Sequence, residues 1–482
     1  MTLRAYGGAL ALGAASVLGF APFDAYLPVW PLLPFALALL FLLWRRAAAP
    51  RDAFLLGLAW GAGCFLVGVS WVYVSLSQFG GMAPPFAAVA TLAFCLYLAL
   101  FPALAGWAFA RWRRGASSDA LLFAGIWALT EWLRGSLFTG FPWLAAGYSQ
   151  SPPSPLAGWA ATLGVYGVGF LVALLGATLA SAWRRPSAWL AAALIVGGGA
   201  LLRLMDWTQP AGTPVSVSLL QGNIPQSLKW DPRRLPLSVE TYLGLARANP
   251  AQLTVLPETA LPLFFNEVPR DVLRGLTRHG EALIGVAVAT ADGGYTNGAV
   301  ALTQLLVPTA YAKRHLVPFG EYAPPGFAWF FRFASIPMSD FSAGRARQEP
   351  LLVAGQRIAP NICYEDLFGE ELLEALPAAN LLVNLSNTAW FGDSLAQPQH
   401  LQIARLRALE TGRTMLRATN TGMTAMVNAD GSIAGALPPF TTAALQVQAQ
   451  GRTGLTPYAR WGNALALAIA AAACLVARRR RP

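Results

Sequence analysis

The chain of 482 residues is 55% hydrophobic and only 12% charged, about half the charged share of roughly 25% usual for soluble domains. That balance excludes an ordinary soluble protein and places much of the chain in a bilayer. The net charge of +11 does not signal nucleic acid, because the arginines cluster between apolar stretches and at Arg478–Arg481. Such spacing is what the positive-inside rule produces in membrane proteins. The three histidines, His279, His315 and His400, and the four cysteines, Cys64, Cys95, Cys363 and Cys474, have no metal-ligand spacing. With only Cys363 outside the apolar stretches, a disulfide framework is excluded as well.

Spanning a bilayer takes about 20 apolar residues in a helix. Eight such segments are predicted, near 6–23, 29–44, 53–76, 84–110, 119–134, 162–183, 187–202 and 461–477. The first is read as a retained anchor rather than a cleaved signal peptide, since it lacks a polar cleavage region. Basic clusters fall at Arg45, Arg46 and Arg51, at Arg111, Arg113 and Arg114, at Arg184 and Arg185, and at the C-terminal end. The alternate loops 24–28 and 77–83 contain neither Lys nor Arg. With eight spans every cluster lies on one side, which is then cytoplasmic. The expected domains are 1–202 with spans one to seven, 203–460 as a soluble domain outside the cytoplasm, and 461–482 as a last span with a basic tail. In a bacterium this means an inner-membrane protein with a periplasmic domain.

Within 203–460 strands and helices mix. Val215–Leu220 alternates with period two, as a half-buried strand does. Leu253–Leu256, Ala282–Val288, Ile358–Cys363 and Leu381–Leu385 are short apolar runs suited to buried strands. Val268–His279 and Leu367–Leu376 have helical spacing, and Gln397–Thr411 reads as an amphipathic helix. Thr424–Asn428 is a strand running into the turn Ala-Asp-Gly. A mixture of this kind in one domain predicts a layered α/β or α+β sandwich.

Three polar residues close or follow strands: Glu258, Lys313 and Cys363. Strand ends are where layered α/β folds collect their sites. Singly, each has an ordinary structural explanation. Jointly they suit a thiol mechanism without histidine. A free thiol has a pKa of about 8.5 and needs a base or a nearby cation. A glutamate can take its proton, and a lysine ammonium can stabilise both thiolate and oxyanion.

The segments LPETALP, YAKRHLVPFGEYAP and NICYEDLF, in that order, resemble the Glu-Lys-Cys triad of the nitrilase superfamily. With the apolar spans, QGNIPQSLKW at 221–230 and GFPWLAAGYSQ at 140–150, the chain is similar to the bacterial apolipoprotein N-acyltransferase family. The resemblance implies a bundle of about eight transmembrane helices carrying a nitrilase-like αββα sandwich outside the cytoplasm. It implies a two-step acyl transfer in which Glu258 deprotonates Cys363 and the thiolate attacks an ester of a phospholipid, phosphatidylethanolamine in this family. Lys313 and the backbone N–H of Tyr364 would hold the oxyanion. The α-amine of a diacylglyceryl-cysteine at an apolipoprotein N-terminus would then take the acyl group from the thioester. No metal or organic cofactor is required by this chemistry.

The same resemblance implies that Glu321 and Glu365 orient Lys313 or the incoming amine, the alternative being plain surface acids. Tyr364 and Trp230 are walls of the acyl pocket or core packing. Phe141, Pro142 and Trp143 are read as part of a lipid entrance, and Asn387 and Trp390 as pocket lining. The aromatic-rich segment 324–341, with Phe327, Trp329, Phe330, Phe331, Phe333 and Phe341, is an arm dipping into the outer leaflet or a loop folded on the sheet. Glu131 and Arg134 lie three apart on one helix face and form a structural pair. His315 is expected on the same side of a strand as Lys313 and receives no role. Two other readings remain open. One is an anchored amidase using the triad and water on a small amide, which a single anchor would serve. The other is a lipoprotein-binding scaffold, which would not need all three triad residues.

Overall fold

The computed structural model describes residues 2–23, 28–115, 118–229, 233, 235–326 and 340–479. Trp230 and the aromatic residues of the 324–341 segment other than Phe341 lie outside the described residues. The chain divides into two compact units. One comprises Met1–Tyr73, Pro84–Asp206 and Thr456–Pro482; the other comprises Val74–Ala83 and Trp207–Leu455.

In the first unit each apolar segment contains a helix: Leu3–Ser16, Leu32–Arg46, Pro50–Gly68, Pro84–Trp112, Asp119–Arg134, Ala160–Ala182, Pro186–Leu202 and Ala464–Arg479. Among the described residues, three helical stretches are long and apolar enough to cross a membrane, namely Pro50–Gly68, Pro84–Trp112 and Pro155–Ala182. Pro186–Leu202 and Ala464–Arg478 are shorter apolar helices. Small residues let these helices approach closely, as they do wherever lipid removes the hydrophobic drive for association. A Cβ on Gly61 would lie 2.8 Å from Ala99 Cα, so Pro50–Gly68 and Pro84–Trp112 meet backbone to backbone there. Glu131 and Arg134 both direct their polar groups to backbone atoms of the following loop. Glu131 Oε1 accepts from Ala146 N at 2.8 Å, and Arg134 donates to the carbonyls of Phe141 at 2.6 Å and Trp143 at 2.7 Å. Together they tie down the loop that follows their helix.

The second unit is built on two facing sheets. In spatial order, the first runs Ala443–Ala449, Val215–Gln221, Leu253–Val255, Glu281–Ala289, Tyr295–Leu302 and Pro308–Ala312, with Leu261–Phe264 joined to Glu281–Ala289. The second runs Ile433–Ala436, Ala425–Val427, Thr414–Thr419, Leu381–Ser386, Gln356–Ile362 and Leu351–Val353. The inner strands of the second sheet, Gln356–Ile362, Leu381–Ser386 and Thr414–Thr419, are parallel. Parallel strands covered on both faces read as continuous apolar runs, which is why LLVNL shows little alternation.

Register nevertheless separates two faces. Leu381, Val383 and Leu385 point into a core shared with Val215, Val217 and Leu219 of the other sheet. Leu382 points the other way, into a core with Leu401, Ala404 and Ala408 of the helix Ala396–Thr411. On the far side of the first sheet, Leu220, Ile284 and Val286 pack with Tyr242 and Val272 of the helices Leu235–Ala248 and Arg270–Leu276. The layers are thus helix, sheet, sheet, helix. Two expectations change. Ala396–Thr411 has no solvated polar face: Gln397, Gln399, His400, Gln402, Arg407 and Glu410 are all buried. The helix read over Leu367–Leu376 is a 3-10 turn, Cys363–Leu367, followed by the short helix Gly369–Leu373, because Pro377 lies close beyond.

Leu381 is fully buried between the sheets, at the strand end opposite Ser386. Leu381→Ala is expected to destabilise the two-sheet unit by about 2–5 kcal/mol while leaving turnover per folded molecule unchanged. Thermal unfolding in detergent, paired with active-site titration, measures both.

Candidate active site

Glu258 follows the strand Leu253–Val255 and is buried. Its carboxylate is fully engaged. Oε1 accepts from Asn297 Nδ2 at 2.7 Å and lies 3.5 Å from Lys313 Nζ, while Oε2 accepts from the backbone N of Asn387 at 2.8 Å. Lys313 comes directly after the strand Pro308–Ala312, its own N donating to Asn297 O at 2.8 Å. Its ammonium is 1% exposed and sits between Glu258 and Glu321, with Glu321 Oε2 at 2.8 Å. Burial pulls the lysine pKa down, but the two carboxylates outweigh it and the pKa is raised, so Lys313 stays charged.

Asn297 Nδ2 reaches both Glu258 and Glu321, the latter at 2.8 Å. One amide therefore spaces the two acids on either side of the ammonium. Glu321 is further fixed by the backbone N of Val317 at 2.8 Å. It is an internal partner of the lysine, not a surface acid.

Cys363 ends the strand Gln356–Ile362 and begins the turn Cys363–Leu367. Its backbone is left-handed, with φ 53°, a conformation uncommon outside glycine, asparagine and aspartate. The chain thus doubles back sharply at the sulfur. Burial pushes the thiol up to about 12, and Glu258 adds to the rise; Lys313 and the Ser386 hydroxyl pull it down. Cys363 thus lies within electrostatic reach of both Glu258 and Lys313, and it rests as a neutral thiol at ordinary pH.

Glu365 acts on backbone rather than on solvent. Its Oε2 accepts from Ile362 N at 2.6 Å, and its Oε1 from Arg314 N at 2.7 Å and the Tyr311 hydroxyl at 2.9 Å. This clamps the segment bearing Lys313 to the turn bearing Cys363. Burial raises its pKa to about 6.

The other candidates are placed as follows. Asn387 gives Glu258 its backbone N–H and links its side chain to Gln226 at 2.8 Å. The Tyr364 ring packs edge-on against Phe368, centroids 5.1 Å apart. Trp390 stands on the turn Thr388–Phe391, where its carbonyl accepts from Ser75 Oγ at 2.7 Å and its ring meets Phe79 edge-on. Phe141, Pro142 and Trp143 belong to the helical unit, where Trp143 is buried, stacks on Phe141 and packs against Trp71. The strand before Lys313 stops at Ala312, so His315 shares no strand face with it. Its ring stacks on Phe368 at 3.6 Å, and Nδ1 lies 2.8 Å from Glu371.

Three contributors went unnoticed in the sequence. Lys229, inside QGNIPQSLKW, is buried and donates to the Glu258 carbonyl at 3.2 Å and to Thr259 Oγ1 at 2.5 Å. Burial lowers its pKa to about 8. Asn297 stands in YTNGAVAL, where an amide within an apolar strand is the available clue. Gly285 lies under the Pro257 carbonyl, and a Cβ there would be 2.7 Å from Glu258 Cα. Among the described residues no group of three His, Cys, Asp or Glu could hold a metal ion.

A cysteine on a sharp strand-end turn, a buried glutamate and a buried lysine in a double-sheet sandwich define a carbon–nitrogen-hydrolase type of thiol enzyme. Residues 216–458 match the carbon-nitrogen hydrolase family, and residues 12–178 match the apolipoprotein N-acyltransferase N-terminal domain. The chain is 50% identical over 479 residues to an apolipoprotein N-acyltransferase of Nitrosomonas europaea, covering 96% of this chain and 94% of that protein. A Ralstonia nicotianae protein of the same description is 45% identical, over 98% and 92% of the two chains. One from Chromobacterium violaceum is 48% identical, over 94% and 89%. The chain belongs to the apolipoprotein N-acyltransferase family.

Gly285→Ala is expected to displace the Glu258 backbone. A misplacement near 1 Å can cost on the order of 100-fold in rate, so kcat should fall by at least about tenfold with the fold retained. Steady-state acyl transfer together with circular dichroism tests this.

Proposed function

We propose that this acyltransferase moves a fatty acyl chain from a phospholipid to the N-terminal amine of a diacylglyceryl-cysteine apolipoprotein, through a thioester on Cys363. The observation that carries this reading is the raised, buried thiol placed within reach of one carboxylate base and one fixed ammonium. The Cys363 S–H bond breaks as its proton passes to Glu258, and sulfur attacks the ester carbonyl. Lys313 stabilises the oxyanion. On collapse, the C–O bond breaks and the lysophospholipid oxygen takes the proton back from Glu258. In the second half, the acceptor amine bonds to the thioester carbonyl, its proton goes to Glu258, and the C–S bond breaks. Sulfur then recovers the proton and an amide is released. Glu321 holds Lys313, and Glu365 keeps the lysine segment against the turn.

Both substrates carry chains that stay in lipid, which accounts for a bundle of apolar helices joined to a nitrilase-like domain. We assign phosphatidylethanolamine as the donor. The eight helices are taken as spans, with the arginine clusters at 45–51, 111–114, 184–185 and 478–481 in the cytoplasm and the catalytic unit on the periplasmic side of the inner membrane. A cysteine placed at exposed Asp292 (Asp292→Cys) should be labelled by an impermeant maleimide in intact spheroplasts, and one at Arg46 (Arg46→Cys) should be protected. The reverse pattern would refute this orientation.

Incubated with acyl-labelled phospholipid, the protein should acquire label that hydroxylamine releases and that Cys363→Ser lacks. With the thiol held near 12, thiolate is a minor species at neutral pH, and alkylation of Cys363 should rise about tenfold per pH unit between roughly pH 7 and 9. Glu258→Gln removes a negative neighbour that raises the thiol. It should therefore speed alkylation at pH 8 while abolishing acyl transfer. Acyl transfer that survives in Glu258→Gln would contradict the assignment of Glu258.

A further inference from the structure

Behind Cys363 lies a buried polar chain that the acyl-transfer steps do not use. Asn361, Asn384 and Arg417 are direct register partners across three adjacent parallel strands. The rungs on either side of them are apolar: Pro360, Val383 and Leu416 on one, Ile362, Leu385 and Ala418 on the other. Asn384 Nδ2 donates to Asn361 Oδ1 at 2.7 Å and to the Cys363 carbonyl at 3.2 Å. Asn384 Oδ1 accepts from Arg417 at 2.9 Å, and Arg417 also donates to Asp366 Oδ2 at 2.9 Å. His400 joins the chain, its Nε2 lying 2.7 Å from Asp366 Oδ1. None of these five side chains is more than 1% exposed.

Net stability is a weak reason to keep such a network. A buried ion pair can often be replaced by apolar residues of similar volume without loss, because desolvating two charges offsets their attraction. What the network does reach is the carbonyl of the residue with the left-handed backbone, Cys363. Asp366, three residues further on in the same turn, is gripped from the other end by Arg417 and His400. Burial and the Arg417 cation lower the His400 pKa. The neutral ring therefore serves as an Nε2–H donor to the carboxylate. The turn is thus fastened at its first residue by Asn384 and near its end by Arg417, both from one rung of the sheet, and by His400 from the helix Ala396–Thr411.

We propose that Asn384, Arg417 and Asp366 are positioning residues that lock the Cys363–Leu367 turn and so aim Sγ at the acyl carbonyl. This rests on Cys363 being the acyl carrier.

The test uses the full-length protein in detergent and follows the burst of thioester from acyl-labelled phospholipid. Asn384→Asp keeps an acceptor for Arg417 but turns an oxygen toward the Cys363 carbonyl. Its burst rate constant should fall by about tenfold or more, with burst amplitude per folded molecule and KM for phospholipid unchanged. Asp366→Asn keeps the shape and removes the charge that holds Arg417, and a smaller fall of roughly threefold in the same rate constant is expected. A network that only supports the fold would instead lower amplitude and folded yield and leave the rate constant alone. Rate constants within about twofold of the parent in both variants, or loss of the fold in both, would overturn the proposal. A burst persisting in Cys363→Ser would instead refute the acyl-carrier reading.

Discussion

The site depends on keeping one ammonium charged where water does not reach. Lys313 is 1% exposed, and it stays protonated because two carboxylates flank it at a spacing set by a single amide, Asn297. A buried charge that loses its partner becomes an uncompensated charge, which is far costlier than the pair is favourable. This constraint also shapes the proposed chemistry. Moving a proton from Cys363 to Glu258 leaves the net charge of the site unchanged. A thiol pushed up to about 12 stays neutral until base, cation and substrate are aligned.

Burial serves the product as well as the nucleophile. A thioester is open to water, and acyl transfer to an amine succeeds only if the amine arrives first. The site is accordingly built from side chains that turn inward to one another: Glu365 to backbone N–H groups, Asn387 to Glu258, Lys229 to the Glu258 carbonyl. The strained turn at Cys363 belongs to the same design, since a left-handed residue persists only where its surroundings over-determine it.

Much of the sandwich could be read from local pattern. Leu253–Leu256, Ala282–Val288 and Leu381–Leu385 coincide with strands, because burial on both faces leaves a run of apolar residues without helical period, and Val215–Leu220 does so through its period-two alternation. Among the strands that escaped are Tyr295–Leu302 and Thr414–Thr419. The first contains Asn-Gly, a turn dipeptide, and the second has Arg417 at its centre. Both irregularities come from polar side chains that the site or the turn behind it requires. The polar residues of Ala396–Thr411 misled in the same way, since they face buried partners and not water.

The order of residue types along the chain was enough to point to the family and to nominate Glu258, Lys313 and Cys363, because each lies in a short motif near a strand end and the apolar segments are long. Local pattern could not show that Asn297 spaces two acids, that Gly285 makes room for the Glu258 backbone, or that Asn384 and Arg417 reach the Cys363 carbonyl. Those roles arise from register between strands distant in sequence, and register exists only once the two sheets have closed on their shared core.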